Sequence, residues 1–383
     1  MMHHPVLSAI TRRREQGSVP GQRKDGLKIA LAIEGGAMRG VVSAGMVAGL
    51  EYLGLLPAFD VIYGTSAGAI NGAYFVAGQG AYGASIYYDE INNSQFINPL
   101  RWLYGDPSIS LEFLFEHVMI RRKPLVWQRV VDSPIELAPV ATSIQQARAV
   151  LLRGAHSRYD LYLRLKASAR IPFVAGPPVR VNGEDCVDGG LYASIPFQQA
   201  LDEGCTHVLA LLTRPAGATL KRSTFLCRQM ICRKLARYNP LLRNAFTHRV
   251  GGYARDLDCL NAHTCAPNGS PWVCAVSQPR GAAIVDRFEK RPEHLVSGAR
   301  SGVQAIMDAF GQQNMSSWQV LFPSRSAANS GFGPQRGEHV QIGTVSGFPR
   351  AAVDFLQTYR VEPAREGISL QHQSSLRGGA GND

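Results

Sequence analysis

No apolar run in this chain of 383 residues approaches the roughly 20 residues that a membrane-spanning helix requires. Residues 1–26 also lack the apolar core of a secretory signal peptide. The seven cysteines are odd in number and follow no disulfide-framework spacing, so a reducing, cytoplasmic setting is expected. Neither a His-Glu-x-x-His segment nor a carboxylate cluster points to a catalytic metal. Cys259, His263, Cys265 and Cys274 lack the short Cys-x-x-Cys pairing of structural zinc sites, so unpaired thiols are expected there and no metal. The P-loop and dinucleotide fingerprints are missing as well, and no cofactor is implied.

Acidic residues are absent from one long stretch. Lys221, Arg222, Arg228, Arg233, Lys234, Arg237, Arg243 and Arg249 stand there without a single Asp or Glu, in a chain of net charge +11. Such a stretch suits an anionic membrane surface or a nucleic acid. Peripheral contact with an anionic membrane is the expectation, and nucleic acid is not expected as a partner. Residues 220–262 read as helical. On a helical wheel Phe225, Leu226, Met230, Ile231 and Leu235 do not gather on one side, which argues against a deeply inserting amphipathic helix.

The length supports one large α/β domain with appended segments. Residues 1–26, with Arg12, Arg13, Arg14, Arg23 and Lys24, are expected to form a disordered basic arm, and residues 27–311 the domain. Residues 312–383 are polar and rich in Gly and Ser, and read as a tail or loose cap with one short helix over 351–359. Within the domain, apolar strands over 27–33, 59–63, 135–141, 206–213 and 273–277 alternate with helical segments over 41–53, 161–169, 196–204 and 292–310. That alternation predicts a mostly parallel sheet. Asn182-Gly183 between short apolar stretches predicts a tight hairpin. Residues 84–129 read as mainly helical, with Leu111, Phe113, Leu114, Phe115, Val118 and Met119 in the core or lining a substrate groove.

Three stretches carry chemistry. Gly64-Thr65-Ser66-Ala67-Gly68 lies between an apolar strand and a helix of small residues, the context of a strained elbow that exposes a serine hydroxyl. Gly64 and Gly68 flank Ser66 because a side chain at either place would strike a neighbouring strand or helix. Glu34-Gly35-Gly36-Ala37-Met38-Arg39-Gly40 follows the first strand and opens a helix, so its backbone N–H groups face a common anion. With a serine elbow on the next strand, an oxyanion hole fits this loop better than a nucleotide phosphate. Asp188-Gly189-Gly190 ends the hairpin; taken alone, Asp188 reads as a turn former whose carboxylate bonds its own backbone.

In this order, the three stretches resemble those of the patatin-like phospholipase family, in particular its bacterial branch with Glu-Gly-Gly-x-Met-Arg-Gly in the first loop. Ala167-Ser168-Ala169-Arg170-Ile171-Pro172 and Arg287-Phe288-Glu289-Lys290-Arg291-Pro292 are similar to that branch too, and the similarity runs from about Leu27 to Gly311. The resemblance implies a three-layer α/β/α sandwich and hydrolysis of lipid acyl esters without calcium. It implies that Ser66 is the nucleophile and Asp188 its partner, a dyad without histidine. It also assigns the oxyanion-hole N–H groups to Gly35, Gly36, Ala37, Met38, Arg39 and Gly40. The family usually has a third glycine where this chain has Ala37, and alanine there costs roughly 1 kcal/mol if its φ is positive. Two other readings remain. One is a Ser-Asp-His triad esterase using His207, His248 or His263. The other is a non-catalytic protein that docks through its basic stretch.

Overall fold

The computed structural model describes residues 4–218, 225–262 and 271–312. The polar tail and its expected helix at 351–359 fall outside the described residues, as do Lys221, Arg222, His263 and Cys265.

In chain order, helix α1 (Pro5–Glu15) precedes β1 (Ile29–Ile33), α2 (Gly40–Tyr52), β2 (Val61–Thr65) and α3 (Ala67–Val76). Then follow β3 (Glu136–Ser143), β4 (Arg148–Leu151), α4 (Arg158–Ser168), β5 (Val179–Val181) and β6 (Glu184–Asp188). Helix α5 (Phe197–Asp202), β7 (His207–Leu211), α6 (Phe225–Tyr238), α7 (Pro240–Ala262), β8 (Trp272–Val276) and α8 (Pro292–Ala309) complete the described elements used below. All eight strands join one sheet. Strands β3, β2, β1, β7 and β8 are parallel neighbours in that order, while β4, β5 and β6 add antiparallel pairs beyond β3. The hairpin β5–β6 turns at Asn182 (φ 51°) and Gly183 (φ 83°), two left-handed residues as a type I′ turn requires.

Alternation along the central strands fills two layers. Ile29, Leu31 and Ile33 pack with α2, α3 and α8, whereas Ala30, Ala32 and Tyr63 pack with Phe197, Tyr253 and Leu260 from α5 and α7. A mostly parallel sheet with helices on both faces is the α/β/α sandwich. Helices α2 and α8 approach until their backbones touch: a Cβ on Gly45 would lie 2.0 Å from the Ala299 carbonyl oxygen, and one on Gly302 2.1 Å from that of Val42. Helix α8 therefore belongs to the core. Residues 84–129 break into short helices and a π-helix over Phe113–Arg122, whose Phe113, Leu114, Phe115, Val118 and Met119 are buried. Among the described residues no helix is long and apolar enough to cross a membrane.

The expected disordered arm is corrected: residues 5–15 form α1, with Val6, Leu7, Ala9 and Ile10 buried against the sheet's first layer. A count of arginines suggested solvation, but Arg13 is only 1% exposed. It donates to Asp25 (2.7 and 3.0 Å), to Asp60 (2.7 Å) and to the carbonyls of Ala58 (2.8 Å) and Leu27 (2.7 Å). Asp60 also accepts from the Ile29 N–H at 2.7 Å, so the arm is fastened to the starts of β1 and β2.

Removing Arg13 takes the cation from Asp25 and leaves Asp60 with Arg23 alone, so Arg13→Ala should lower stability by about 3 kcal/mol in urea denaturation. Arg13 holds Asp25 below its ordinary 3.8, at about 2. A depressed carboxylate stabilises the fold above its unfolded pKa and loses that contribution as pH falls through the folded one. The stability gap between wild type and Arg13→Ala should therefore narrow as pH falls from 3.8 toward about 2. An unchanged midpoint in the variant at neutral pH would show that the arm is dispensable.

Candidate active site

Strand β2 ends at Thr65, and the chain turns abruptly into α3 through Ser66 at φ 57°, ψ −124°. A non-glycine residue there is strained by about 1–3 kcal/mol and persists only if its surroundings hold it. Three contacts do so. The Ser66 N–H donates to Ser168 Oγ at 2.9 Å, and that hydroxyl, fully buried, donates in turn to the Val140 carbonyl at 2.6 Å. The Ser66 carbonyl accepts from the Ala69 N–H at 2.9 Å. Thr65 Oγ1 donates to the Ala193 carbonyl at 2.8 Å, tying the elbow to the loop after Asp188. A Cβ on Gly64 would sit 2.5 Å from Ala69 Cα, and one on Gly68 2.3 Å from the Ile33 carbonyl oxygen.

Asp188 reaches the same place from β6. Thr65 is level with Val140 on β3, and Asp188 is level with the next residue, Ala141. Gly189 then lies against the Val140 carbonyl and Thr65 Cγ2. The main chain of Asp188 is anchored on both sides: its N–H donates to the Arg170 carbonyl at 2.9 Å, and its carbonyl accepts from Thr142 Oγ1 at 3.0 Å. Oδ1 accepts from the Gly190 N–H at 2.8 Å, the turn-forming role. Oδ2 is sealed from solvent without an aligned hydrogen bond. Burial raises the Asp188 pKa above its ordinary value; the Ser66 hydroxyl, the Gly190 N–H and the Arg287 charge oppose that rise.

The glycine-rich loop lies over the serine: a Cβ on Gly35 would be 2.9 Å from Ser66 Cβ. Within it, the N–H of Met38 donates to the Arg287 carbonyl, that of Arg39 to Gly36, and that of Gly40 to Ala37. The N–H groups of Gly35, Gly36 and Ala37 have no acceptor among the described residues. Ala37 adopts φ 51°, so this chain carries the strain that a glycine would relieve. Arg39 is buried beneath the loop, donating to Thr213 Oγ1 at 3.1 Å with its guanidinium packed on Gly36, and burial lowers its pKa to about 10. Glu34, 1% exposed, accepts from the Thr213 N–H (2.6 Å) and from Arg214 (3.0 Å).

The histidines of the triad reading sit elsewhere. His207 opens β7 level with Ile29, some 13 Å along the sheet from the strand ends. His248 is exposed on α7, its Nδ1 paired with the Asn244 carbonyl at 2.8 Å. Neither hydrogen-bonds Ser66 or Asp188, and His263 lies outside the described residues. Among the described residues no group of three or more His, Cys, Asp or Glu could hold a metal ion. Of the basic stretch, Arg233, Arg237 and Arg243 are exposed and Arg228 is half-buried. Lys234 lies over the Phe173 ring at 5.3 Å and Arg249 over the Phe246 ring at 4.0 Å.

Residues 31–201 match the model of the patatin-like phospholipase family. That stretch, less than half of the chain, is similar to a patatin-like phospholipase domain. That match holds the loop, the elbow and Asp188, and the family-level activity is lipid acyl hydrolysis. The uncharacterized protein YjjU of Escherichia coli strain K12 is 29% identical over 193 residues, which cover 49% of this chain and 53% of that protein. The chain thus spans about half the length of the curated relative it matches. The crystal structure of VipD from Legionella pneumophila aligns with 74% of this chain and 67% of that one, at 12% identity and a TM-score of 0.37.

The matched stretch also contains a residue to which the sequence alone gave no role. Ser168 sits in the Ala-Ser-Ala-Arg stretch, and only the fold brings α4 under the elbow. Ser168→Ala frees the Ser66 N–H and should lower stability by about 1–3 kcal/mol. At position 37, Ala37→Gly should leave stability unchanged or raise it by up to about 1 kcal/mol, whereas β-branched Ala37→Val should lower it by more than about 1 kcal/mol. Thermal denaturation of the purified variants checks each direction.

Proposed function

We propose that this protein is a serine lipid acyl hydrolase of the phospholipase A or esterase type, working without calcium through Ser66 and Asp188. The observation that carries this reading is the meeting of a strained serine elbow with a buried carboxylate whose Oδ2 is unspent. Asp188 takes the proton of the Ser66 hydroxyl as Oγ attacks the ester carbonyl. The carbonyl π electrons move onto oxygen, and that oxyanion is held by the N–H groups of Gly35, Gly36 and Ala37, each such donor being worth about 3 kcal/mol. Collapse expels the alcohol, which takes the proton back from Asp188, and water then cleaves the acyl-Ser66 ester by the same sequence. An aspartate is a weak base at its ordinary pKa; burial beside Ser66 raises the pKa and fixes the two groups in position. The substrate is a lipid or smaller ester, met at an anionic membrane in a reducing compartment, with exposed Arg233, Arg237 and Arg243 favouring that surface.

Hydrolysis of a short-chain p-nitrophenyl ester by Ser66→Ala, Asp188→Asn and the double variant should fall to a similar residual level, because the two residues act as a unit. Full activity in either single variant would remove the assignment, and a folded protein that a fluorophosphonate does not label at Ser66 would favour the non-catalytic reading. In wild type, kcat/KM should rise with pH through the elevated Asp188 pKa and level off above it, since only the carboxylate accepts the proton.

The histidines should be individually dispensable. His207→Ala, His248→Ala and His263→Ala should each keep kcat/KM within about tenfold of wild type, given unchanged circular dichroism. A loss of about a thousandfold in one folded variant would replace the dyad by a triad.

A further inference from the structure

One apolar element is displayed rather than packed. In the turn of 3-10 helix at Pro99–Tyr104 no residue is buried, and Leu100, Trp102, Leu103 and Tyr104 are 65%, 54%, 68% and 84% exposed. The turn is nevertheless firmly built. Asn98 caps it by accepting from the Leu100 N–H at 3.0 Å, and Gly105 closes it at φ 82°. Arg101 folds back to the Gln95 carbonyl at 2.9 Å. At its base Ile97 bridges Ile109, and the Asn98 N–H donates to the Ser108 carbonyl at 2.8 Å.

That base is fastened to both sides of the candidate site. Lys290 Nζ donates to the Ile97 carbonyl at 2.7 Å, three residues beyond Arg287, whose carbonyl receives the Met38 N–H of the glycine loop. The Ile109 N–H donates to the Val174 carbonyl at 2.9 Å, in the segment that starts at Arg170, the acceptor for the Asp188 N–H. Basic helix α6 packs on the same segment: Tyr238 stacks on Phe173 at 5.5 Å, Lys234 covers that ring, and Arg233 and Arg237 remain exposed. Ile284 and Phe288, 55% and 52% exposed, extend the apolar character along the segment that holds Arg287.

We propose that the Pro99–Tyr104 turn is a bilayer anchor that inserts Leu100, Trp102, Leu103 and Tyr104 into an anionic lipid surface beside the candidate site. Trp and Tyr with Leu at an exposed tip, next to Lys and Arg, is the composition that settles at a membrane interface. Charge complementarity selects this occupant. A second copy would set the basic α6 against itself, and one six-residue turn falls short of the roughly 800 Å² per partner of a stable protein interface. The anchor also accounts for an apolar tip outside the basic stretch, whose own Cys232 and Leu235 are buried.

The full chain is tested by co-sedimentation with vesicles of mixed phosphatidylglycerol and phosphatidylcholine. Binding needs no turnover, so the outcome is independent of the hydrolytic reading. The triple variant Leu100→Ser/Trp102→Ser/Leu103→Ser should bind more than about tenfold more weakly, while Arg233→Gln/Arg237→Gln should lose mainly the preference for phosphatidylglycerol. Brominated acyl chains should quench the fluorescence of bound wild type, and Trp102→Phe should lose most of that quenching while still binding. This second arm holds even if the triple variant fails to fold. Wild-type binding by a folded triple variant would overturn the anchor, as would unquenched fluorescence of bound protein. So would a wild-type dimer in buffer that the triple variant abolishes, since the turn would then face a second copy.

Discussion

Three backbone segments meet at the end of β2 with no room for side chains between them, and the rest of the site depends on that approach. The glycine loop rests on Ser66, the start of α3 rests on the end of β1, and Gly189 rests on β3. Only glycine satisfies these distances, since the missing Cβ atoms would lie 2.3–2.9 Å from backbone or from Ser66. Once packed so tightly, Ser66 is forced to a positive φ, and the strain is held by hydrogen bonds from elements remote in sequence.

The charges nearby serve this geometry first. Glu34 is fully engaged by the Thr213 N–H and Arg214, and Arg39 braces Gly36 from below. These groups join the ends of β1 and β7 beneath the loop, leaving the N–H groups of Gly35, Gly36 and Ala37 with no acceptor among the described residues. At the opposite end of the sheet, Arg13 does the equivalent structural work for the strand starts through Asp25 and Asp60. Both ends are thus closed by a buried arginine. In each case the partners lie too far along the chain for any local pattern to reveal them.

Two surfaces of different character flank the site. Helix α6 offers the Lys234 ammonium over Phe173 and the exposed guanidinium groups of Arg233 and Arg237, and the Pro99–Tyr104 turn offers aromatic and aliphatic side chains held on a rigid base. Long-range charge attraction acts over about a Debye length, whereas apolar insertion acts only on contact. In the proposed membrane contact the pair would separate approach from retention, and both are tied to backbone that also holds Asp188 and the glycine loop.

Much of the architecture was legible in the chain itself. Continuous apolar runs marked the parallel strands, Asn182-Gly183 marked the hairpin, and glycines at 64 and 68 marked the elbow, because strand burial and turn sterics are local. Local sequence misread residues 5–15, where α1 needs the sheet to bury Val6, Leu7 and Ile10 and needs Asp60 to neutralise Arg13. It was silent on Ser168, on the displayed turn at 99–104, and on which loop N–H groups remain unspent. It left the φ of Ala37 and the surroundings of Arg39 open. Sequence by itself determined which segments become strands, turns and helices, since those follow from periodicity and from glycine's missing side chain. Tertiary structure alone decided which oxygen of Asp188 is spent, what supports Ser66 and which apolar residues face outward, because those depend on atoms brought together from distant parts of the chain.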